Sequence, residues 1–219
     1  MEQTEMNLRK KWWIVVLMIA VIFTIGAVNY LLNGHKYRLL SEAPIALVPD
    51  YQYMPEQFTE LDLSIYDTLK GERISYGMTK ADIEQIVGDA EGEAWAFVPS
   101  HPLEALEYAD GLQIVYRLDR AISFIMGSEG TGRFVTMRNI GMANGAHDHL
   151  VAYGLRPTVA SEDYDTYLFQ QVDNGYKILE EQNYADNEEL TVYHISFQKE
   201  DGKLVSVSLS DMLFAVKFN

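Results

Sequence analysis

Apolar and polar positions along the chain follow three different rhythms. From Trp12 to Leu32 the apolar residues run on with no charge among them. About 20 such residues in helical form cross a bilayer core. Arg9, Lys10 and Lys11 precede the run, and Trp12, Trp13 and Tyr30 stand near its ends, where interfacial aromatics belong. Ile25 lies two residues before Ala27, which suits signal cleavage poorly. The pattern predicts a retained signal anchor: 1–33 as cytoplasmic tail and transmembrane helix, the chain single-pass in the cell membrane, and the C-terminal body outside the cytoplasm. Residues 34–60 then read as a tether, since Pro44, Pro49 and Pro55 oppose helix and central strand. Tyr51, Tyr53 and Phe58 make this tether aromatic, and loose packing on the body is expected of it.

The body alternates between a helical period and a period of two. Thr79 is a good N-cap, Ile83, Ile86 and Val87 make one apolar face, and Gly88 can end the helix in a left-handed turn. After it, Leu112, Ile114, Tyr116 and Leu118 alternate with Gln113, Val115 and Arg117. Beyond a turn at Asp119-Arg120, Ile122, Phe124 and Met126 alternate with Ala121, Ser123 and Ile125. A second round opens at Gly141-Met142. Asn144 is the predicted cap, Ala146, Leu150 and Tyr153 the inward side, and Gly154 the stop. Tyr193, Ile195 and Phe197 then face one way with Val205, Val207 and Leu209, across a turn at Glu200-Asp201-Gly202. The expected class is α+β: the anchor helix, then two tandem units of a helix and an antiparallel meander, over 61–130 and 131–219.

Charge and cysteine content narrow the function. The formal charge is −15, from 17 basic and 32 acidic residues. Such a body repels nucleic acid, so no nucleic-acid partner is expected. The absence of cysteine excludes disulfides and thiolate zinc sites. His147-Asp148-His149 is the one stretch resembling a metal-ligand set, but histidines two apart on a helix point about 200° apart, and a polar helix surface is expected. His101 reads as a loop residue, and His194 as an outward strand residue between serines. Gly127–Gly132 is glycine-rich but lacks a phosphate-loop lysine, and reads as a flexible linker. Glu180-Glu181 and Glu188-Glu189 read as solvated charge. No catalytic residue, cofactor or metal ligand is assigned, and the chain is not expected to be an enzyme.

The stretches ISYGMTKADIEQIVGDAEG and MRNIGMANGAHDHLVAYGLRP, each followed by a meander, resemble the SmpA/OmlA and beta-lactamase inhibitory protein (BLIP)-like superfamily. The resemblance covers roughly 74–126 and 138–210, and implies a short helical layer on a three-stranded sheet, in tandem. It departs from the lipoprotein members in lacking an anchoring cysteine. It implies a protein-binding module of inhibitor, immunity, sensor or envelope-adaptor type, with another envelope or extracellular protein as partner. An envelope hydrolase is the alternative. Alternation assigns the partner face to Gln113, Val115, Arg117, Ser123 and Ile125, then Val192, His194, Ser196, Gln198, Ser206 and Ser208.

Overall fold

Period-two alternation accounts for most of what the chain builds. A computed structural model describes residues 48, 51–94, 103–173, 175–179, 192–212 and 214. Of these, 48% are in strands and 16% are helical. All fall within one unit, Ile45–Asn219. The strands are β1 (Ser64–Asp67), β2 (Glu72–Ser75), β3 (Gly92–Glu93), β4 (Leu103–Tyr108), β5 (Leu112–Arg117) and β6 (Arg120–Gly127). There follow β7 (Phe134–Thr136), β8 (Val159–Ala160), β9 (Tyr164–Val172), β10 (Gly175–Ile178), β11 (Val192–Glu200) and β12 (Lys203–Asp211). The helices are α1 (Lys80–Val87) and α2 (Asp148–Tyr153), with a 3-10 turn η1 at Glu60–Leu63. One sheet runs β10-β9-β11-β12-β6-β5-β4-β3 with β8 on β9, and a smaller sheet runs β2-β1-β7.

This corrects the expected class. The described residues are mostly β with only two short helices, and the two meanders are joined edge to edge in one sheet through β6 and β12. The smaller sheet also joins chain segments on either side of residue 130, because β7 pairs with β1. Among the described residues no helix is long and apolar enough to cross a membrane. The run Trp12–Leu32 lies outside the described residues, so the expected membrane helix and the membrane description built on it have no support in the structure.

Two hairpins follow one local plan. In β5–β6, Arg117 pairs with Arg120 and Tyr116 with Ala121, but Val115 pairs with Ser123, leaving Ile122 as an extra residue. In β11–β12, Glu200 pairs with Lys203 and Lys199 with Leu204, but Gln198 pairs with Ser206, leaving Val205 extra. Both turns are two residues long with both φ values positive, at Leu118-Asp119 and Asp201-Gly202. The bulges overturn part of the alternation read from the sequence. An extra residue reverses which face every earlier side chain takes, so Ala121 and Leu204 enter the main core where Ile122 and Val205 were expected.

Corresponding residues of the hairpins are 83 apart, as Arg120 and Lys203 are. The β6–β12 ladder pairs Ser123 with Ser210, Ile125 with Ser208, and Gly127 with Ser206. Under that offset Ser206 corresponds to Ser123, Ser208 to Ile125 and Ser210 to Gly127. The ladder is therefore reciprocal, with Ile125 and Ser208 at its centre.

The main core lies on one side of the large sheet. Leu112, Ile114, Phe124, Phe169, Ile195, Phe197 and Val207 supply the sheet layer, and Ile83 and Val87 of α1 and Ala152 and Tyr153 of α2 pack with them. Thr79 caps α1 as its sequence predicts, its hydroxyl accepting from the Asp82 amide at 3.2 Å. The second helix starts later than expected. Asn144 accepts from the Gly141 amide in the preceding turn, and α2 has His147 at its N-cap with no side-chain cap bond. Its buried face is His149, Ala152 and Tyr153, not Leu150.

The tether expectation fails for the part that is described. Phe58 is buried and stacks on Phe169 with ring centroids 4.3 Å apart. Behind it, Arg138 is 0% exposed in its side chain. Its guanidinium donates to both Asp62 carboxylate oxygens, at 2.7 and 2.9 Å, and to the Ala152 carbonyl at 2.8 Å. It also lies 4.9 Å from the Phe58 ring and 4.5 Å from that of Tyr153. One cation thus ties residues 54–62 to the C-terminal end of α2.

Candidate binding face

The side of the large sheet away from the helices carries the face predicted for a partner. Pairing registers line up Gln113, Ile125, Ser208, Ser196 and Thr166 in one row across β5, β6, β12, β11 and β9. A neighbouring row holds Gly127, Ser206, Gln198 and Tyr164. Gln198 and Tyr164 are exposed; Ile125, Ser196, Ser206 and Ser208 are half-buried. Within the rows Ser196 and Thr166 share a hydroxyl hydrogen bond of 2.8 Å, which fixes their rotamers. This part of the face is low in relief, and its short side chains lose little rotamer freedom when covered.

Other residues assigned to the face have structural work of their own. Val115 is buried with Ala105, Ile122 and Phe214, and Val192 with Leu168 and Met212. Ser123 is buried too. Arg117 grips the fully buried Asp211 carboxylate through both guanidinium nitrogens, at 2.9 and 3.3 Å. Asp211 also accepts from the Tyr76 hydroxyl at 2.9 Å and the Phe214 amide at 2.8 Å, so it anchors the chain beyond β12. His194 lies 3.1 Å from the Ser210 hydroxyl, and burial pushes its pKa down to about 4 against the opposing pull of Asp211. The face has a partly exposed middle and a packed margin. Sequence alternation found the side of the sheet but not the chain that covers its margin. Tyr164 was missed because it opens β9, a strand whose pairing with β11 only the fold reveals.

The remaining polar clusters are built into the fold. His149, expected on a helix surface, is fully buried and stacks on Phe197 at 4.4 Å. Its Nε2 lies 2.8 Å from Asp165, and Lys199 reaches the same carboxylate oxygen at 2.9 Å. A carboxylate only accepts, so Nε2 carries the proton; Nδ1 is left buried without a partner among the described residues. Burial therefore lowers the His149 pKa, with Asp165 opposing. The glycine-rich segment is pinned, not loose. Asp110 accepts from the Thr131 amide and hydroxyl and from the Arg133 amide, and a Cβ at Gly130 would stand 2.9 Å from the Asp110 carbonyl oxygen. No group of three or more His, Asp or Glu side chains able to hold a metal ion occurs among the described residues. His101, Glu180-Glu181 and Glu188-Glu189 lie outside them. Comparison with models of protein families, with curated proteins and with solved structures finds no match to this chain.

Proposed function

We propose that the chain is a protein-binding module whose partner covers the open middle of the large sheet. The observation that carries this reading is the cross-strand row from Gln113 to Thr166, small hydroxyl side chains about an aliphatic centre at Ile125, with Tyr164 and Gln198 beside it. Such a surface accepts the bulky anchors that dominate protein interfaces while losing little side-chain entropy itself. The formal charge of −15 selects the partner's sign: its contact surface is basic, with aromatic or aliphatic anchors. The inhibitor, immunity, sensor or adaptor types implied by the superfamily resemblance all use binding of this kind.

The test is to introduce positive charge at the centre of the face. Ser206→Lys and Ser208→Lys change half-exposed residues. Cross-linking with a residue-specific photoreactive group at Ser208 identifies the partner in its native extract, and titration of the purified pair measures affinity. The double variant is expected to lose at least about tenfold in affinity, roughly 1.4 kcal/mol, with its melting temperature retained. A partner with an acidic contact surface, or affinity indifferent to both lysines, overturns the assignment.

A further inference from the structure

On the helix-covered side of the sheet a second feature is unrelated to that face. Between η1, the end of β2 and the strands β9–β11 lies a cleft of about 470 Å³. That is the size of pockets that bury small organic ligands. Tyr76, Tyr176 and Tyr193 form its aromatic wall. Tyr193 meets Tyr76 at 86° with centroids 5.2 Å apart, and Tyr176 at 66° and 6.1 Å, so the wall is itself packed edge to face.

Its polar groups are mostly neutral. Ser64 donates to the Ser75 hydroxyl at 2.9 Å, which leaves the Ser75 proton free for another acceptor. Gln171 brings an exposed amide with both donor and acceptor atoms. Tyr193 is 7% exposed and Tyr176 is half-buried; among the described residues neither hydroxyl has a hydrogen-bond partner, and neither oxygen is sealed from solvent. Burial holds both phenols protonated, with Tyr176 pushed up to about 12, so they face the cleft as neutral donors and acceptors. Arg73 and Glu60 stand exposed at the rim with opposite charges.

We infer that this cleft binds a neutral saccharide of a few rings. Sugar rings carry apolar C–H faces that pack on aromatic rings, and hydroxyls that both donate and accept. Unpartnered phenols, a serine hydroxyl and a carboxamide beside a tyrosine wall answer both needs. A rim of balanced charge gives no preference for an ionised ligand.

Isothermal titration of the full chain with maltotriose, cellotriose and triacetylchitotriose tests this. At least one is expected to bind at a single site with Kd below about 1 mM. Tyr193→Phe keeps the ring and removes only the hydroxyl, and is expected to weaken that binding about fivefold or more, the loss of one hydrogen bond. Gln171→Ala changes an exposed residue and is expected to do the same, which keeps the test decisive if Tyr193→Phe disturbs folding. Failure of all three sugars to bind, or binding unaltered in both variants, overturns the proposal. So does binding lost through Arg73→Ala and suppressed by salt, since the ligand is then an anion. None of these outcomes touches the partner face, which lies on the opposite side of the sheet.

Discussion

The two helices α1 and α2 cover the same side of one sheet and are held there by different means. Eight-residue α1 has a side-chain cap at Thr79, a glycine stop at Gly88, and two aliphatic anchors, Ile83 and Val87. Six-residue α2 has no side-chain cap, and its contacts run to remote polar groups: His149 to Asp165, and Ala152 to the Arg138 guanidinium. A helix of only about two turns is not stable alone. The first is specified mostly within its own sequence; the second is specified by groups that only the finished fold assembles.

The largest effect expected from this contrast is at Arg138. Arg138→Ala leaves the buried Asp62 carboxylate without its cation, which costs about 3–5 kcal/mol and lowers the melting temperature by roughly 10 °C. Calorimetry of the variant checks this, and a loss under about 1 kcal/mol means that α2 is held by packing instead.

A smaller effect is expected on acidification. His149 and His194 both have pKa values below the ordinary histidine value in the folded chain, His194 at about 4, because burial disfavours their charged forms. The unfolded chain takes up those protons near pH 6.5, whereas the folded chain resists them to lower pH. Stability from the two histidines is therefore complete above about pH 6.5 and is lost as pH falls toward 4, the loss from His194 alone reaching about 2 kcal/mol at pH 5. Urea unfolding at pH 7 and pH 5 measures it. His149→Gln and His194→Asn are expected to flatten the slope; an unchanged slope in both variants assigns the acid sensitivity to carboxylates.

The smallest effect is expected at the cap of α1. Thr79→Ala removes one hydroxyl acceptor and costs about 1 kcal/mol. Amide exchange in residues 80–84 is the sensitive readout, and it is expected to quicken there without change in α2.

Local features were the legible ones. Thr79 and Gly88 mark α1 because cap and stop act on neighbouring amides. The alternation of Gln113, Val115 and Arg117 against Ile114 and Tyr116 places β5 correctly for the same reason. The bulges at Ile122 and Val205 were not legible, because an extra residue changes pairing without changing composition. Nothing near His149 in sequence reveals Asp165, Lys199 and Phe197 around it, so a buried histidine read as a surface one. Phe58 and Tyr51 lay among prolines and looked detached, while the residues that receive them, Phe169 and Asp62, belong to separate elements. For the candidate face, the side of the sheet was readable, and the covering by Met212 and Phe214 was not.

The reciprocal β6–β12 ladder has a consequence for how such a chain could be divided. The hairpin β5–β6 taken alone would end in a bare edge at β6, with its outer amides and carbonyls unpaired along residues 123–127. Bare edges recruit whatever strand can complete them. Because each half offers the edge that the other needs, in a register that returns the same pairs on exchange, two separated halves would reassociate across it. A self-association seam of the kind that joins two subunits is here closed within one chain, and tying both edges into one molecule keeps them from strangers.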